Sequence, residues 1–127
     1  MQKYVKRDNK PVVAIQFNFG LTGFTYHKWG GEQKCKPCDW IVNNDGEVYT
    51  IDQDTFAKTY HLVELGRYIK EQPVWAVTAT EAGKIETKEG FSDYEPGDYL
   101  VYNNQDGTDG YCVKPDKFTS MYKMEQS

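Results

Sequence analysis

Two cysteines, Cys35 and Cys38, have the Cys-x-x-Cys spacing that zinc knuckles and thiol redox centres use. A redox dithiol has its first cysteine at the start of a helix, whereas Cys38 stands in a turn before a predicted strand. A zinc site would need two further ligands, and Cys112 with His27 or His61 would have to converge on the pair from distant elements. We therefore interpret the cysteines as structural, keep Cys35 and Cys38 as weak candidates for a metal site, and predict no cofactor.

Asp39 and Asp98 could supply paired carboxylates for acid–base chemistry. Each follows a Pro-x pair, and an aspartate at that position can bond its own turn. The histidines have no Ser or Cys nucleophile at a recognisable spacing, and the glycines of 20–31 lack the strand–loop–helix order of a phosphate-binding loop. We interpret both aspartates as turn caps and predict no catalytic residues.

Aromatic and basic side chains form the most plausible binding set in the sequence. Aromatic faces can stack on a planar ring, and basic groups can meet its phosphates. A structural role in the core or on a sheet surface is the alternative for each of the aromatic residues. The candidate ligand-binding residues are Trp29, Trp40, Trp75, Tyr26, Tyr99, Tyr102, Arg67 and Lys36.

The sequence segments that must position these residues occur twice in the chain. Residues 95–101, Glu-Pro-Gly-Asp-Tyr-Leu-Val, repeat residues 36–42, Lys-Pro-Cys-Asp-Trp-Ile-Val. Further matches keep the same order along the chain: Pro11 with Pro73, Tyr49 with Tyr111, Asp54 with Asp116, Phe56 with Phe118, and Tyr60 with Tyr122. This order predicts a tandem duplication, with residues 1–62 as the first unit and 63–127 as the second. A unit of ~60 residues buries little surface alone, so we expect the two to share one compact domain.

Each unit is predicted to run β–loop–β–hairpin–β–short helix. This plan gives an α+β fold, mainly antiparallel β, made of two pseudo-symmetric units of ~60 residues. The alternation that begins at Val13 is typical of a strand with one buried face, which would carry Val13, Ile15, Phe17 and Phe19.

Turn and cap signals mark several element boundaries in the first unit. Asp45-Gly46 between two β-prone runs predicts a tight hairpin turn. Asp52 or Asp54 is placed to cap a short helix, in which Phe56 and Tyr60 would share one face. Residues 61–72 are too apolar for a free tether, so we predict an extended segment packed on the fold.

Residues 95–118 resemble the small bacterial and phage domain that is named after its Pro-Gly-Asp-Tyr-Gly motif. Leu100 stands where the motif has its second glycine, and Cys38 replaces the turn glycine in the first copy. Residues 10–17 and 54–60 are similar to short phage-encoded proteins of the same general appearance. The resemblance implies a phage or prophage origin and a fold, and it carries no activity.

Composition narrows the classes of partner. A net charge of −4 and a pI near 5.1 argue against general nucleic-acid binding, which needs a basic surface. The sequence shows no signal-peptide pattern and no apolar run long enough for a bilayer. Together with an odd number of cysteines, three, this predicts a cytoplasmic protein, in the host cell if it is phage-encoded.

The sequence therefore predicts a non-enzymatic phage-type binding protein. The preferred target is a nucleotide-like small molecule that is sequestered, as would suit counter-defence against a host signal. The alternative is a protein–protein interaction module that inhibits a host protein through exposed aromatic residues, and a small enzyme of unknown reaction comes third. A homo-oligomer stays open.

Overall fold

Antiparallel β-structure dominates the computed structural model, which describes residues 1–125. The structure of these residues also has two short helices, so it agrees with the predicted α+β class and is mainly β. In chain order the elements are β1 (Gln2–Lys6), β2 (Val12–Gln16), β3 (Phe24–Lys28), β4 (Gly31–Cys35), β5 (Trp40–Asn44), β6 (Glu47–Ile51), α1 (Gln53–Thr59), β7 (Tyr60–Glu64), β8 (Arg67–Lys70), β9 (Val74–Thr78), β10 (Gly83–Glu86), β11 (Phe91–Tyr94), β12 (Tyr99–Tyr102), β13 (Gly110–Val113), α2 (Pro115–Met121) and β14 (Tyr122–Met124).

Two five-stranded antiparallel sheets form the body of the molecule. The first sheet has the order β6–β5–β2–β8–β7, and the second sheet has the order β13–β12–β9–β1–β14. Two separate hairpins, β3–β4 and β10–β11, complete the strands of residues 1–125. Neither helix in this part of the chain is long and apolar enough to cross a membrane.

The two sheets are closed by strands from different parts of the chain. In the first sheet β8 lies between β2 and β7, so most of residues 61–72, predicted as an extended segment packed on the fold, belongs to a β-hairpin of this sheet. In the second sheet the same place is taken by β1, whose Tyr4 lies opposite Val74 on one side and Met124 on the other. The first strand of the chain is thus integral to the sheet formed by residues 74–124.

The predicted turns are confirmed in detail. Asp45 and Gly46 have φ values of 54° and 95°, the positive pair that a type I′ hairpin turn needs. Cys38 has a φ of 74°, and Gly97, which aligns with it in the predicted repeat, has a φ of 93°. The turn conformation is therefore kept where the sequence replaces glycine by cysteine, at a cost of about 1 kcal/mol.

Asp39 and Asp98 cap these turns, as predicted from the sequence. The carboxylate of Asp39 accepts the backbone N–H of Lys36 at 2.9 Å, and that of Asp98 accepts the N–H of Glu95 at 2.9 Å. Both side chains are almost fully buried, and each also binds a lysine ammonium, from Lys36 and Lys114 respectively. These contacts give both aspartates a structural role in their turns.

Each helix covers one face of its own sheet with an aromatic side chain. Phe56 of α1 stacks on Trp40 with ring centroids 4.2 Å apart, and Phe118 of α2 stacks on Tyr99 at 4.1 Å. Phe56 also stacks on Tyr60, as its spacing predicted. These rings anchor two separate hydrophobic clusters, one per sheet.

The buried face of β2 was predicted wrongly. Val13 and Ile15 are 49% and 61% exposed, whereas Val12 and Ala14 are buried in the cluster with Phe56. A small side chain at position 14 leaves room for the helix aromatic ring, so the alanine side of the strand faces inwards. Of the residues that were expected inside, Phe17 is buried.

The hairpins β3–β4 and β10–β11 cross-link the two halves. Lys34 donates its backbone N–H to the carbonyl of Glu89 at 2.6 Å, and Gln33 forms a bridge with Gly90. The N–H of Asp93 donates in turn to the carbonyl of Trp29 at 2.8 Å. These contacts connect each hairpin with the turn of the other.

Candidate ligand-binding site

A cavity of about 400 Å³ lies between the two sheets. Strands β5 to β8 and helix α1 line one side of it, and β1, β13, β14 and α2 line the other. Each sheet supplies one lysine, two tyrosines and one asparagine. The first sheet contributes Lys70, Tyr49, Tyr60 and Asn44, and the second contributes Lys6, Tyr111, Tyr122 and Asn103 from the end of β12.

Lys70 is a buried cation that is held by neutral groups. Its side chain reaches from β8 to the opposite half, where Nζ donates to Asn103 Oδ1 and to the Tyr111 hydroxyl, each at 3.1 Å. Nζ also lies 5.4 Å and 5.8 Å from the ring centroids of Tyr111 and Tyr122. No ion pair forms between Lys70 and a carboxylate of residues 1–125. A buried charge of this kind favours an anionic partner.

Lys6 faces the same cavity from β1. Its Nζ lies 5.5 Å from the Tyr122 ring centroid, and within residues 1–125 it has no ion pair. Burial lowers the pKa of Lys6, and the charge of Lys70 lowers it further, against a smaller raising effect of Asp8. The cavity is also lined by Glu47, Glu89, Asp93, Glu95, Asp98 and Asp109. The positive charge is therefore local to Lys6 and Lys70, which have no carboxylate partner in residues 1–125.

The tyrosine hydroxyls can donate hydrogen bonds, and inside the cavity Tyr49 pairs with Tyr60 and Tyr111 pairs with Tyr122. Burial raises the pKa values of Tyr49, Tyr60, Tyr111 and Tyr122, so all four phenols stay protonated in neutral solution. A protonated phenol can donate to an anion while its ring offers an apolar face. The cavity therefore combines positive charge, O–H donors and aromatic walls.

Each helix makes one polar contact across the cavity, and the two contacts occur at corresponding positions of the two halves. Thr55 of α1 donates its hydroxyl to Asp109 beside β13 at 2.8 Å, and Lys117 of α2 forms an ion pair with Glu47 of β6. Each helix thus contacts the opposite sheet. These two carboxylates are engaged by their own partners rather than by Lys6 or Lys70.

A second cavity of about 370 Å³ adjoins the first. Both are lined by Lys6, Lys10, Asn44, Glu47, Lys117 and Met121. Lys6 accordingly stands where the tyrosine-lined space meets a more highly charged one.

One of the eight candidate residues, Trp29, lines the central cavity. It belongs to the turn of hairpin β3–β4, and its ring centroid lies 5.8 Å from that of Tyr49. Its φ of 57° is unusual for a bulky residue. Gly30, which follows it, has a φ of 78°, so the pair forms the turn with a tryptophan where Asn or Gly would be unstrained.

The other seven candidates lie outside the lining of this cavity, and the structure gives most of them a local partner. Trp40 and Tyr99 pack on the helix aromatic rings described above. Tyr26 shares a hydroxyl hydrogen bond of 2.6 Å with Thr50, Tyr102 packs over Gly110, Trp75 lies 5.9 Å from Lys3 Nζ, Arg67 pairs with Glu64 at 3.0 Å, and Lys36 pairs with Asp39 at 3.0 Å.

The cysteines do not form a metal centre with their neighbours. Cys35 is fully buried, and burial raises the pKa of its thiol to about 11, which disfavours the thiolate that binds metals. Within residues 1–125, no group of three or more His, Cys, Asp and Glu side chains could hold an ion. Cys38 occupies the positive-φ turn position.

Glu89, at the tip of hairpin β10–β11, also reaches the cavity. Its carboxylate accepts the backbone N–H of Asp52, the N-cap of α1, at 2.9 Å. The pKa of Glu89 is raised to about 7, mainly by burial and also by Asp39 and Asp52, against the lowering effects of the Asp52 N–H and Lys36. This group changes its charge near neutral pH.

Lys6, Lys70 and all four tyrosines of the cavity are absent from the residues predicted to bind a ligand. Tyr49 and Tyr60 had already been matched to Tyr111 and Tyr122 by the repeat, which was the available signal. Lys6 and Lys70 could not be paired from sequence because their strands lie at opposite ends of the repeat alignment. Comparison of the chain with protein-family models, curated proteins and solved structures finds no match.

Proposed function

We propose that this protein is a non-enzymatic binding protein that sequesters a small, nucleotide-like anion in the cavity between its sheets. The observation that carries the proposal is the pair of lysines, Lys6 and Lys70, which face one cavity without a carboxylate partner in residues 1–125. Bound phosphate groups would compensate these charges and accept hydrogen bonds from the tyrosine hydroxyls.

The aromatic walls favour a ligand with a planar ring over a simple inorganic anion. Four tyrosines and Trp29 surround a volume in the usual range of small-molecule sites. Stacking on aromatic side chains is worth roughly 1–3 kcal/mol per base. A nucleotide offers both a planar ring and a phosphate.

Sequestration is proposed rather than conversion because most carboxylates that line the cavity, including Glu89 with its raised pKa, have a structural partner; Glu89 accepts the N–H of Asp52. Glu47 is paired with Lys117, and Asp109 accepts a bond from Thr55. A general base must be free to reach a reacting proton. Because the sequence resemblance implies a phage or prophage origin, we propose counter-defence as the role that sequestration would serve.

The test is a thermal-shift screen of the full chain against a panel of nucleotides, with Lys6→Met and Lys70→Met beside the wild type. A ligand that binds the folded state alone raises the melting temperature with concentration. We expect a shift for the wild type, a much smaller one for either variant, and an unchanged one for Lys123→Met, whose side chain is exposed. The absence of a shift with every nucleotide would refute the proposed ligand class.

We also infer that the two sheets derive from a duplicated unit. Their strand orders correspond position by position, β6 with β13, β5 with β12, β2 with β9, β8 with β1 and β7 with β14. The positive-φ turns, the aspartate caps and the helix aromatic rings recur at matched positions. This supports a pseudo-symmetric arrangement of two ~60-residue units.

The second candidate function is a protein-interaction module. The face of the first sheet that α1 leaves uncovered exposes Val13, Ile15 and Val48 by about half or more. Exposed apolar patches often mark contact sites. Co-purification of a stoichiometric host protein that is lost with Ile15→Lys, but kept with Lys70→Met, would favour this function.

A further inference from the structure

We infer that the ligand is a dinucleotide, a molecule with two like halves that each carry a planar ring, with phosphate groups placed to meet both lysines. This inference rests on the proposed function and concerns the same cavity. It follows from the fact that the two halves of the protein line the cavity with the same types of side chain. Both halves present Lys, Tyr, Tyr and Asn to one cavity.

The strand registers place these residues equivalently. Lys70 lies opposite Tyr60 in the pairing of β8 with β7, and Lys6 lies opposite Tyr122 in the pairing of β1 with β14. Tyr49 lies opposite Val42 in the first sheet, as Tyr111 lies opposite Val101 in the second. Each half thus holds its lysine and its two tyrosines at corresponding positions of corresponding strands.

The contacts between the halves are matched as well. The pair Thr55–Asp109 and the pair Lys117–Glu47 join each helix to the opposite sheet. Two equivalent surfaces therefore face each other across the cavity. A ligand with two like halves can make the same set of contacts with both surfaces at once, whereas a mononucleotide can satisfy only one set.

The charges support the same conclusion. Lys6 and Lys70 are close enough for the charge of Lys70 to disfavour protonation of Lys6. A ligand with a phosphate near each ammonium would remove that repulsion. A ligand with a single phosphate would lie closer to one lysine than to the other and would compensate the two charges unequally.

The halves are similar without being identical. Lys70 donates to Asn103 and Tyr111, while Lys6 has no side-chain hydrogen bond within the described residues, and Trp29 is present in the first half only. We therefore expect the two ends of the ligand to be bound with unequal strength, with Lys6 as the cation that is freer to move towards a phosphate.

The experiment measures affinity and stoichiometry by isothermal titration calorimetry and native mass spectrometry. The probes are the four nucleoside 5′-monophosphates and the four 5′-phosphorylated homodinucleotides, with the full chain and its Lys6→Met, Lys70→Met and Lys123→Met variants. We expect one dinucleotide per chain, bound at least about 100-fold more tightly than its mononucleotide because the second half binds intramolecularly. Lys6→Met and Lys70→Met should each weaken dinucleotide binding about tenfold or more, and Lys123→Met should not change it. Circular dichroism confirms that each variant is folded.

Two results would overturn the inference, and they differ in what else they overturn. A mononucleotide that binds one per chain as tightly as any dinucleotide, with only one lysine required, refutes the two-headed ligand and leaves the proposed function intact. Folded wild-type protein that binds none of the eight probes refutes the nucleotide-like ligand class as well.

Discussion

Trp29 combines backbone strain with a place at the cavity. A bulky residue with a φ of 57° costs roughly 1 kcal/mol that Asn would largely avoid. Its ring lies 5.8 Å from Tyr49 and adds to the aromatic wall of the proposed site. Strained residues that persist at cavities are often kept for function.

Replacement of Trp29 by Asn should therefore separate stability from binding. We expect the free energy of unfolding to change by less than about 1 kcal/mol, because relief of strain offsets the lost ring contact. Nucleotide affinity, measured by calorimetry, should fall about tenfold. A variant that binds as well as the wild type would remove Trp29 from the site, and a large loss of stability would show a structural role.

Glu89 provides a pH-dependent term in the stability. Its pKa is about 7 in the folded protein, mainly because of burial, against an ordinary value of 4.5. The folded state therefore holds this proton more tightly than the unfolded state. Stability from Glu89 is complete below about pH 4.5 and is lost as the pH rises through 7.

The Glu89→Gln variant should lack this loss, because its amide oxygen can still accept the N–H of Asp52 and carries no charge. We expect the unfolding free energy of the wild type to fall relative to the variant by on the order of 2 kcal/mol between pH 4.5 and 8. Urea titrations at several pH values measure the difference, with the exposed Glu86→Gln on the same hairpin as control. Parallel pH curves for Glu89→Gln and the wild type would contradict the prediction.

At the scale of elements, the hairpin β10–β11 approaches β4 so closely that only glycine fits at position 90. An added Cβ would lie 2.1 Å from the carbonyl oxygen of Glu32, and the φ of Gly90 is 157°. The neighbouring backbone bonds from Lys34 to Glu89 depend on this approach.

Gly90→Ala should destabilise the protein by roughly 2 kcal/mol or more, because backbone atoms must move to relieve the clash. Gly20→Ala is the matched control: its φ is also positive, at 71°, but nothing lies within 4 Å of the added carbon, so about 1 kcal/mol of strain is expected. Chemical denaturation compares the two. Equal effects would mean that the hairpin can shift away from β4 without cost.

Local chemistry made some elements predictable and left others hidden. The Asp45-Gly46 turn and the Asp52 cap follow from short-range backbone rules, and the structure has both. The face of β2 was misjudged because Ala14 packs under an aromatic ring that arrives from a helix forty residues later, and side-chain hydrophobicity favoured Val13. Strand β1 escaped prediction because its partners, β9 and β14, lie about 70 and 120 residues away.

At the scale of the whole molecule, the cavity exists because chain order and sheet order differ. Strand β1 carries Lys6 into the second sheet, while β8 carries Lys70 in the first, so both lysines line one cavity only when both sheets are complete. The hydrophobic clusters are separate, one per sheet. Polar contacts and the crossed hairpins join the halves, and binding of a ligand between them should add to their stability.

The position of β1 can be tested by moving it along the chain. The N–H of Glu125 bonds the carbonyl of Lys3 at 3.0 Å, so residues 1–9 can be attached behind residue 127 through a Gly-Gly linker, with Lys10 as the new first residue. This permuted chain would give the second sheet the β7–β8-like hairpin of the first. We expect it to fold with an unfolding free energy within about 2 kcal/mol of the wild type and with the same ligand preference, because the contacts of β1 are unchanged.

Deletion of residues 1–9 without reattachment should expose the edge of β9, abolish binding and lower the melting temperature by more than about 10 °C. Melting curves and amide hydrogen exchange of β9 and β14 measure both outcomes, and a deletion variant with wild-type protection of β9 would show that β1 is dispensable for the second sheet.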